Sequence, residues 1–224
     1  LPGDVANAST YDFPVRLKVV KGVVDVPPPT QPGPFDTYPY DVQQLVRAVE
    51  ELNEDGVRAV VTACGFFSGV QDVLAQASKV PVFTSGTNHI AALKALKVKN
   101  LVGASYFRGE INNTFKEYFT AAGFKVLAFE GMDVDFNQAQ NLSSHQVYAF
   151  IKDLVLKNPK ADGIYMLGTG WKVLDVIPLL EQDLGMPVVH PVPSRVWEFQ
   201  KRLSIHEPRE GYGRLLAEMP KMVR

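Results

Sequence analysis

Cys64 is the residue of this sequence whose type and position point most directly to chemistry. It follows the predicted strand Val57–Thr62 and precedes Gly65, a pattern typical of the point where a buried parallel strand ends. Ligands of open α/β sheets bind at that edge, in front of the next helix N-terminus. Backbone N–H groups and a helix dipole there favour the thiolate. Cys64 is therefore predicted to be a nucleophile or proton carrier, and a small buried hydrophobic residue is the alternative.

Composition narrows the class of protein. An apolar content of 46% supports a real core, and a net charge of −1 argues against a nucleic-acid or anionic membrane partner. One cysteine excludes an internal disulfide and, with four scattered histidines, argues against a zinc site. No stretch approaches the roughly 20 apolar residues of a membrane span, and no signal peptide is visible. We therefore expect a cytoplasmic protein without a bound metal.

Alternating elements must position the cysteine. Apolar runs predict strands at Val57–Thr62, Val80–Thr84, Asn100–Gly103, Lys125–Phe129, Gly163–Leu167 and Pro187–His190. Helices are predicted between them near Gly69–Ala77, His89–Leu96, Glu110–Ala122, Ser144–Asn158, Trp171–Leu184 and Ser194–Leu203, after a first helix that Gly56 ends. This alternation predicts an α/β fold of mainly parallel sheet flanked by helices.

An internal repeat divides this pattern into two halves. The segment that begins at Asp55 and contains Pro81 recurs from Asp162 to beyond Pro187, with offsets of 187 − 81 = 106 and 162 − 55 = 107. Copied forward, Cys64 falls at Gly170 or Trp171 and Thr84 falls at His190. Two similar lobes would place the turn Gly168–Gly170 across a cleft from Cys64. That geometry suits acid–base chemistry on the two faces of a planar carbanion.

Several segments together resemble the aspartate/glutamate racemase superfamily, which includes hydantoin racemases, maleate cis-trans isomerases and arylmalonate decarboxylase. They are Thr62–Phe66, Pro81–Ser85, Leu174–Pro178 with Met186–Val189, Gly211–Leu215 near the end, and Leu1–Asn7 at the start. The resemblance implies two pseudo-symmetric Rossmann-like lobes with the site between them. We expect residues 1–95 and 195–224 to form the first lobe and residues 96–194 the second.

The resemblance also implies a reaction. Members of the superfamily usually carry one cysteine on each lobe, without a cofactor, and this chain keeps only Cys64. It is therefore expected to be a cofactor-independent decarboxylase or lyase for a small mono- or dicarboxylic acid. Cys64 would protonate an enediolate, add to an activated alkene or remove an α-proton. A maleate-type isomerase, an amino-acid or hydantoin racemase, and a non-catalytic carboxylate-binding protein are the alternatives, and a homo-oligomer is possible for each.

Other residues are expected around the substrate. Backbone N–H groups at helix N-termini near Gly65, Phe66, Gly168, Thr169 and Gly170 would cradle an anion, unless these glycines only permit tight turns.

Side chains complete the predicted site. Tyr106 resembles a carboxylate-binding tyrosine of the family, with Ser105 as its competitor and plain packing as the alternative. His190 is predicted to be a second acid/base or an imidazolium that binds carboxylate, or else a structural residue. Thr84 and Ser85 would contact ligand oxygens or cap a helix. The resemblance of the opening segment adds Asp4 and Asn7.

Overall fold

The computed structural model describes residues 13–20, 42–63, 65–107, 109, 111–171 and 173–223. These contain two parallel sheets. Strands β1 (Val60–Val61) and β2 (Val82–Phe83) form the first, and β3 (Asn100–Ser105), β4 (Lys125–Gly131), β5 (Gly163–Met166) and β6 (Val188–Val189) form the second. The helices are α1 (Val42–Glu54), α2 (Gln71–Gln76), α3 (Ser85–Ala95), α4 (Ile111–Ala121), α5 (Ser144–Leu156), α6 (Val176–Leu184), α7 (Pro191–Arg202) and α8 (Arg214–Glu218).

The second sheet has the strand order β4-β3-β5-β6. Strand β4 therefore lies on one side of β3, and the later strand β5 lies on the other side. A crevice forms at such a topological switch point, outside the carboxyl ends of the two strands. The residues that follow β3 and β5 are therefore in the position where α/β sheets bind ligands.

Helices cover both faces of the second sheet, and its strands show the expected period of two. Ile164 and Met166 of β5 pack with α5 and α6, whereas Tyr165 between them packs with α3, α4, α7 and α8. A separate cluster in the first lobe joins α1 and α2 to Val60 and Val82. Within the described part of the chain, no helix is long and apolar enough to cross a membrane.

The predicted strands are all present, but three helices begin elsewhere. Helix α3 begins at Ser85 rather than His89 because Thr84 caps it, and α7 begins at Pro191 because His190 caps it. Helix α6 begins at Val176 rather than Trp171, because the buried indole of Trp171 donates a hydrogen bond from Nε1 to the Gly168 carbonyl at 3.0 Å and holds a non-helical turn.

Strand register refines the internal repeat. Val60 pairs with Val82 and Ile164 pairs with Val188, so the first strands of the two pairs differ by 164 − 60 = 104 and the second strands by 188 − 82 = 106. Counting from the first strands, the position that corresponds to Cys64 is Gly168. The predicted partners Gly170 and Trp171 are therefore two or three residues too late, because the two offsets were read at the Pro-Val and Asp-Gly pairs. The distance along the chain from these pairs to the first strand differs between the lobes by two and three residues, respectively.

The C-terminal helices pack on the second sheet. Leu215 and Leu216 of α8 and Trp197 of α7 are buried in the cluster that contains Val189 of β6. The predicted division of the chain between the lobes stays a prediction.

Candidate active site

Tyr106 and the second-lobe turn Gly168–Gly170 meet at the switch point of the second sheet. Tyr106 follows β3 and is buried, and the turn follows β5. A Cβ atom on Gly168 would lie 2.4 Å from Cε1 of Tyr106, and one on Gly170 would lie 3.1 Å from its hydroxyl oxygen. Gly168 also has a φ of +102°, which side chains rarely adopt. The tyrosine ring thus occupies the space that a side chain at Gly168 would need.

Neighbouring residues fix this tyrosine. The Trp171 ring meets it edge-on with centroids 5.4 Å apart, and the Phe107 ring lies 4.4 Å away. Ser105 is used differently: its hydroxyl donates to Asn112 Oδ1 at 2.6 Å and accepts from the Phe107 N–H at 3.0 Å. Tyr106, rather than Ser105, therefore contacts the glycine turn. Its role toward a substrate stays a prediction.

Of the two predicted helix N-termini, only the one at Gly65 and Phe66 is present, and it belongs to a 3-10 helix. In the first lobe, Gly65 and Phe66 begin a six-residue 3-10 helix, and α2 starts only at Gln71. In the second lobe, α6 begins six residues after Gly170. The macrodipole of an α-helix is therefore not aimed at either turn, since that effect falls off within one helical turn.

Thr84 and Ser85 are fully buried at the start of α3. The Thr84 N–H donates to Gln71 Oε1 at 2.7 Å, and the Thr84 and Thr87 hydroxyls lie 3.2 Å apart. The capping box that Thr84 forms with Thr87 agrees with the capping alternative for Thr84. The Ser85 hydroxyl donates to the Thr62 carbonyl at 2.9 Å, so it ties α3 to the first-lobe turn, residues 62–65.

Arg195 is a functional candidate that the sequence reasoning missed. It lies on α7 with 1% of its surface exposed. Its Nη2 donates to the Ala63 carbonyl at 2.8 Å and to the Ser85 hydroxyl at 2.7 Å. The available signal was its position between the apolar residues Val192 and Val196, but arginines are mostly exposed and sequence alone favoured that reading.

His190 is fully buried at the N-cap of α7, where its Nδ1 accepts the Val192 N–H at 3.2 Å. Burial, with the charge of Arg195, lowers the pKa of His190 to about 3. The imidazolium alternative is therefore wrong at neutral pH. Because Nδ1 accepts, the ring proton is assigned to Nε2, which has no hydrogen-bond partner among the described residues.

A second buried histidine connects α3 to the second sheet. His89 Nδ1 lies 2.7 Å from the Tyr165 hydroxyl. Burial, followed by the charges of Arg195 and His190, lowers the His89 pKa well below its ordinary value. Burial raises the pKa of Tyr165. Both residues are therefore neutral at physiological pH.

Cys64, Asp4 and Asn7 lie outside the described residues, and their roles stay predictions. Among the described residues, no group of three or more histidine, cysteine, aspartate or glutamate side chains could hold a metal ion.

Comparison with known proteins identifies the family. The family model described as arylmalonate decarboxylase matches residues 35–216, most of the chain. The chain belongs to the arylmalonate decarboxylase family.

Individual relatives agree with this family assignment. Arylmalonate decarboxylase of Bordetella bronchiseptica is 24% identical over 196 residues, covering 79% of this chain and 78% of that protein. A solved variant of arylmalonate decarboxylase, with one glycine changed to cysteine and one cysteine to serine, matches with a TM-score of 0.73 at 21% identity over 82% of each chain.

Maleate isomerases share the fold. A cysteine-to-alanine variant from Pseudomonas putida S16, solved with maleate, matches with a TM-score of 0.71 at 17% identity, covering 79% of this chain and 76% of that one. A cysteine-to-serine variant from Nocardia farcinica, with a covalently bound succinylcysteine intermediate, matches with a TM-score of 0.71 at 20% identity, covering 79% and 78%.

The comparisons confirm three predictions. The chain has the predicted two-lobed α/β fold and belongs to the predicted superfamily. It also belongs to the predicted class of enzyme, decarboxylases and isomerases.

Proposed function

We propose that this member of the arylmalonate decarboxylase family decarboxylates small malonate-type dicarboxylic acids, with Cys64 as the proton donor. The observation that carries the proposal is the Tyr106 ring against Gly168 and Gly170. It leaves no room for an acid or base side chain at Gly168, the position that corresponds to Cys64. Together with the single cysteine, this packing favours proton transfer to one face of the intermediate and disfavours two-base racemisation.

The proposed reaction balances without a cofactor. The bond between the α-carbon and one carboxylate breaks, carbon dioxide leaves, and the electron pair stays on the remaining carboxylate as an enediolate. Cys64 then gives its thiol proton to the α-carbon. The thiolate recovers a proton from water, which completes the cycle.

The developing charge on the enediolate needs hydrogen-bond donors. The neutral His190 offers its Nε2–H, and the backbone N–H groups of Thr169 and Gly170 are the second-lobe candidates. Those of Gly65 and Phe66 are the first-lobe candidates. We assign Ser85 to support of the first-lobe turn and Thr84 to capping, while Asp4 and Asn7 keep their predicted contact with the substrate. No nucleic-acid or membrane partner is proposed, and a cytoplasmic location remains the expectation.

Maleate cis-trans isomerisation is the second candidate. It is favoured by the Nocardia farcinica isomerase, which has been solved with a succinylcysteine intermediate. In that reaction, the Cys64 thiolate would add to the alkene, the central bond would rotate, and the thiolate would leave again. One nucleophile on one lobe is sufficient for the bond-forming step.

Proton NMR in D₂O distinguishes these functions. The protein is incubated with phenylmalonate, methylmalonate, maleate, aspartate and glutamate, alongside Cys64→Ala and Cys64→Ser. We expect one of the malonates to lose carbon dioxide and its product to carry one deuterium at the α-carbon. Cys64→Ala should lower that rate by about 10³-fold or more, because general acid catalysis contributes about 10²–10⁴-fold.

Other outcomes are equally specific. Fumarate formed from maleate, with a covalent adduct of the mass of maleate on Cys64, would replace the first proposal by the second. Unchanged decarboxylation in Cys64→Ala would contradict the role of the cysteine. No reaction with any acid, while one of them protects Cys64 from alkylation, would indicate a carboxylate-binding protein.

A further inference from the structure

We propose that Arg195 is a positioning residue for Cys64: its guanidinium holds the first-lobe turn in place and stabilises the negative charge that forms on the sulfur. This inference rests on the proposed role of Cys64. It assigns a direct part in setting the reactivity of the thiol to α7, a helix that is far from the cysteine in the sequence.

The geometry places one cation beneath the first-lobe turn. Nη2 of Arg195 bonds a carbonyl 132 residues away, that of Ala63, and the hydroxyl of Ser85. The Ala63 carbonyl carbon is bonded to the backbone nitrogen of Cys64, so Arg195 holds the peptide group next to the thiol. Ala63 itself is exposed, whereas the guanidinium is buried. Ala63 is thus exposed to solvent, and its carbonyl is held by a buried cation.

Ser85 makes this support rigid. Its hydroxyl accepts from Arg195 and donates to the Thr62 carbonyl, and its backbone N–H donates to Thr62 Oγ1 at 3.2 Å. Two consecutive carbonyls of the turn, those of Thr62 and Ala63, are therefore fixed by α3 and α7. Helices α3 and α7 are themselves joined by Asn88, whose Nδ2 donates to the Ser194 carbonyl at 2.8 Å and to Glu198 Oε2 at 2.9 Å.

The charge of Arg195 acts in surroundings that keep the neighbouring histidines neutral. Burial lowers the pKa values of His89 and His190, and the positive charge of Arg195 lowers them further. An arginine does not lose its proton at any pH that the protein experiences. A cation beside a thiol favours the thiolate and brings the thiol pKa toward neutral pH, the best value for a group that gives and regains a proton in each cycle.

Alkylation tests this inference without knowledge of the substrate. Because Cys64 is the only cysteine, the rate of modification by iodoacetamide reports on that thiol alone. The rate is measured from pH 5.5 to 10 for the wild type, Arg195→Met and Arg195→Lys, with Arg58→Met as the control that removes an exposed arginine two residues before β1. The midpoint is the pH at which the alkylation rate reaches half of its maximum. Arg195→Met should raise this midpoint by about one pH unit, and alkylation at pH 7 should slow about tenfold. Arg58→Met should match the wild type.

The lysine variant separates charge from positioning. A lysine keeps the positive charge but lacks the planar fork. We expect its midpoint to stay within about 0.3 pH units of the wild type, while its turnover falls about tenfold or more because the turn is no longer held. If Arg195→Met does not fold, full turnover in Arg195→Lys would by itself overturn the positioning role. An unchanged midpoint in a folded Arg195→Met would overturn the electrostatic role.

The outcomes also separate this inference from the proposed function. If Cys64→Ala is inactive but Arg195→Met keeps the wild-type midpoint, only the inference fails. If the midpoint shifts in Arg195→Met while Cys64→Ala retains decarboxylation, the inference about the thiol stands and the proposed function fails.

Discussion

The first-lobe turn and the second-lobe turn follow equivalent strands, yet they are supported in opposite ways. The first-lobe turn is held by polar groups from two helices, Ser85 and Arg195. The second-lobe turn is covered by the ring of Tyr106, with Trp171 bonded to its first carbonyl. Polar support holds the carbonyls of Thr62 and Ala63, whereas aromatic packing takes the space of a side chain at Gly168. A cysteine at Gly168 would therefore require the packing of Tyr106 to change as well.

The pairs of strands that carry these turns are also fixed by opposite chemistry. Gln71 of the first lobe donates from Nε2 to the Val82 carbonyl at 3.0 Å. Glu181 of the second lobe accepts the Val188 N–H at 2.8 Å and the Arg214 N–H at 2.7 Å. Val82 and Val188 are equivalent in the repeat. An amide in one lobe and a carboxylate in the other thus connect to the same strand position with reversed polarity.

The largest expected effect comes from adding a side chain to the second-lobe turn. Gly168→Ala should destabilise the protein by about 3 kcal/mol, because its Cβ would overlap Tyr106 and its positive φ is strained. Chemical denaturation measures the loss. Gly185→Ala is the matched control: it has a φ of +69° but nothing within 4 Å of the new atom, so about 1 kcal/mol is expected.

A double variant sharpens this comparison. In a Tyr106→Ala background, Gly168→Ala should cost at least about 1 kcal/mol less than it does alone, because the overlap is removed. Equal costs in both backgrounds would show that the backbone, and not the tyrosine, excludes a side chain at this turn.

The second prediction concerns the one of the two equivalent helix caps that titrates, which is His190 and not Thr84. The folded-state pKa of His190 is about 3, below the unfolded value of about 6.5. As the pH falls, the unfolded chain therefore takes up the His190 proton before the folded protein does. The contribution of the neutral His190 to stability is complete above pH 6.5 and is lost progressively as the pH falls toward 3. Near pH 5.5, it should have decreased by about 1.4 kcal/mol, since one pKa unit corresponds to that energy.

His190→Asn tests the assignment, because asparagine is a good N-cap that does not titrate in this range. Denaturation at pH 7.5 and 5.5 should show a smaller loss in the variant than in the wild type. His206→Asn, which removes an exposed histidine, should behave like the wild type. An equal loss of stability between pH 7.5 and 5.5 in all three proteins would show that this loss does not come from His190.

The smallest effects are expected from exchanging the two strand contacts. Gln71→Glu places a carboxylate against the Val82 carbonyl, and Glu181→Gln places an amide N–H₂ against a backbone N–H. Each should cost about 1 kcal/mol or more, measured by thermal or chemical unfolding at pH 7, since a lost bond leaves a buried polar group unsatisfied. Neutral effects of both exchanges would show that the polarity of these contacts does not matter.

Sequence reasoning recovered the strands because their signals are local. Each predicted strand overlaps the observed one, and each contains the apolar residues that the core uses, such as Val102 and Ile164. Helix starts were less accurate, since the caps Thr84 and His190 lie inside the predicted strands. The equivalence of Thr84 and His190, read from one offset, is consistent with their shared role as caps.

The sequence by itself determined the order of elements, the internal repeat and the single cysteine, because hydrophobic period, turn residues and residue counts can be read within short windows. The tertiary structure alone decided that Arg195 supports the first-lobe turn and that Tyr106 fills the second. These contacts join residues roughly 60 to 130 positions apart. No local pattern marks such a pair, since an arginine in a helix or a tyrosine after a strand acquires its role only from what the fold packs against it.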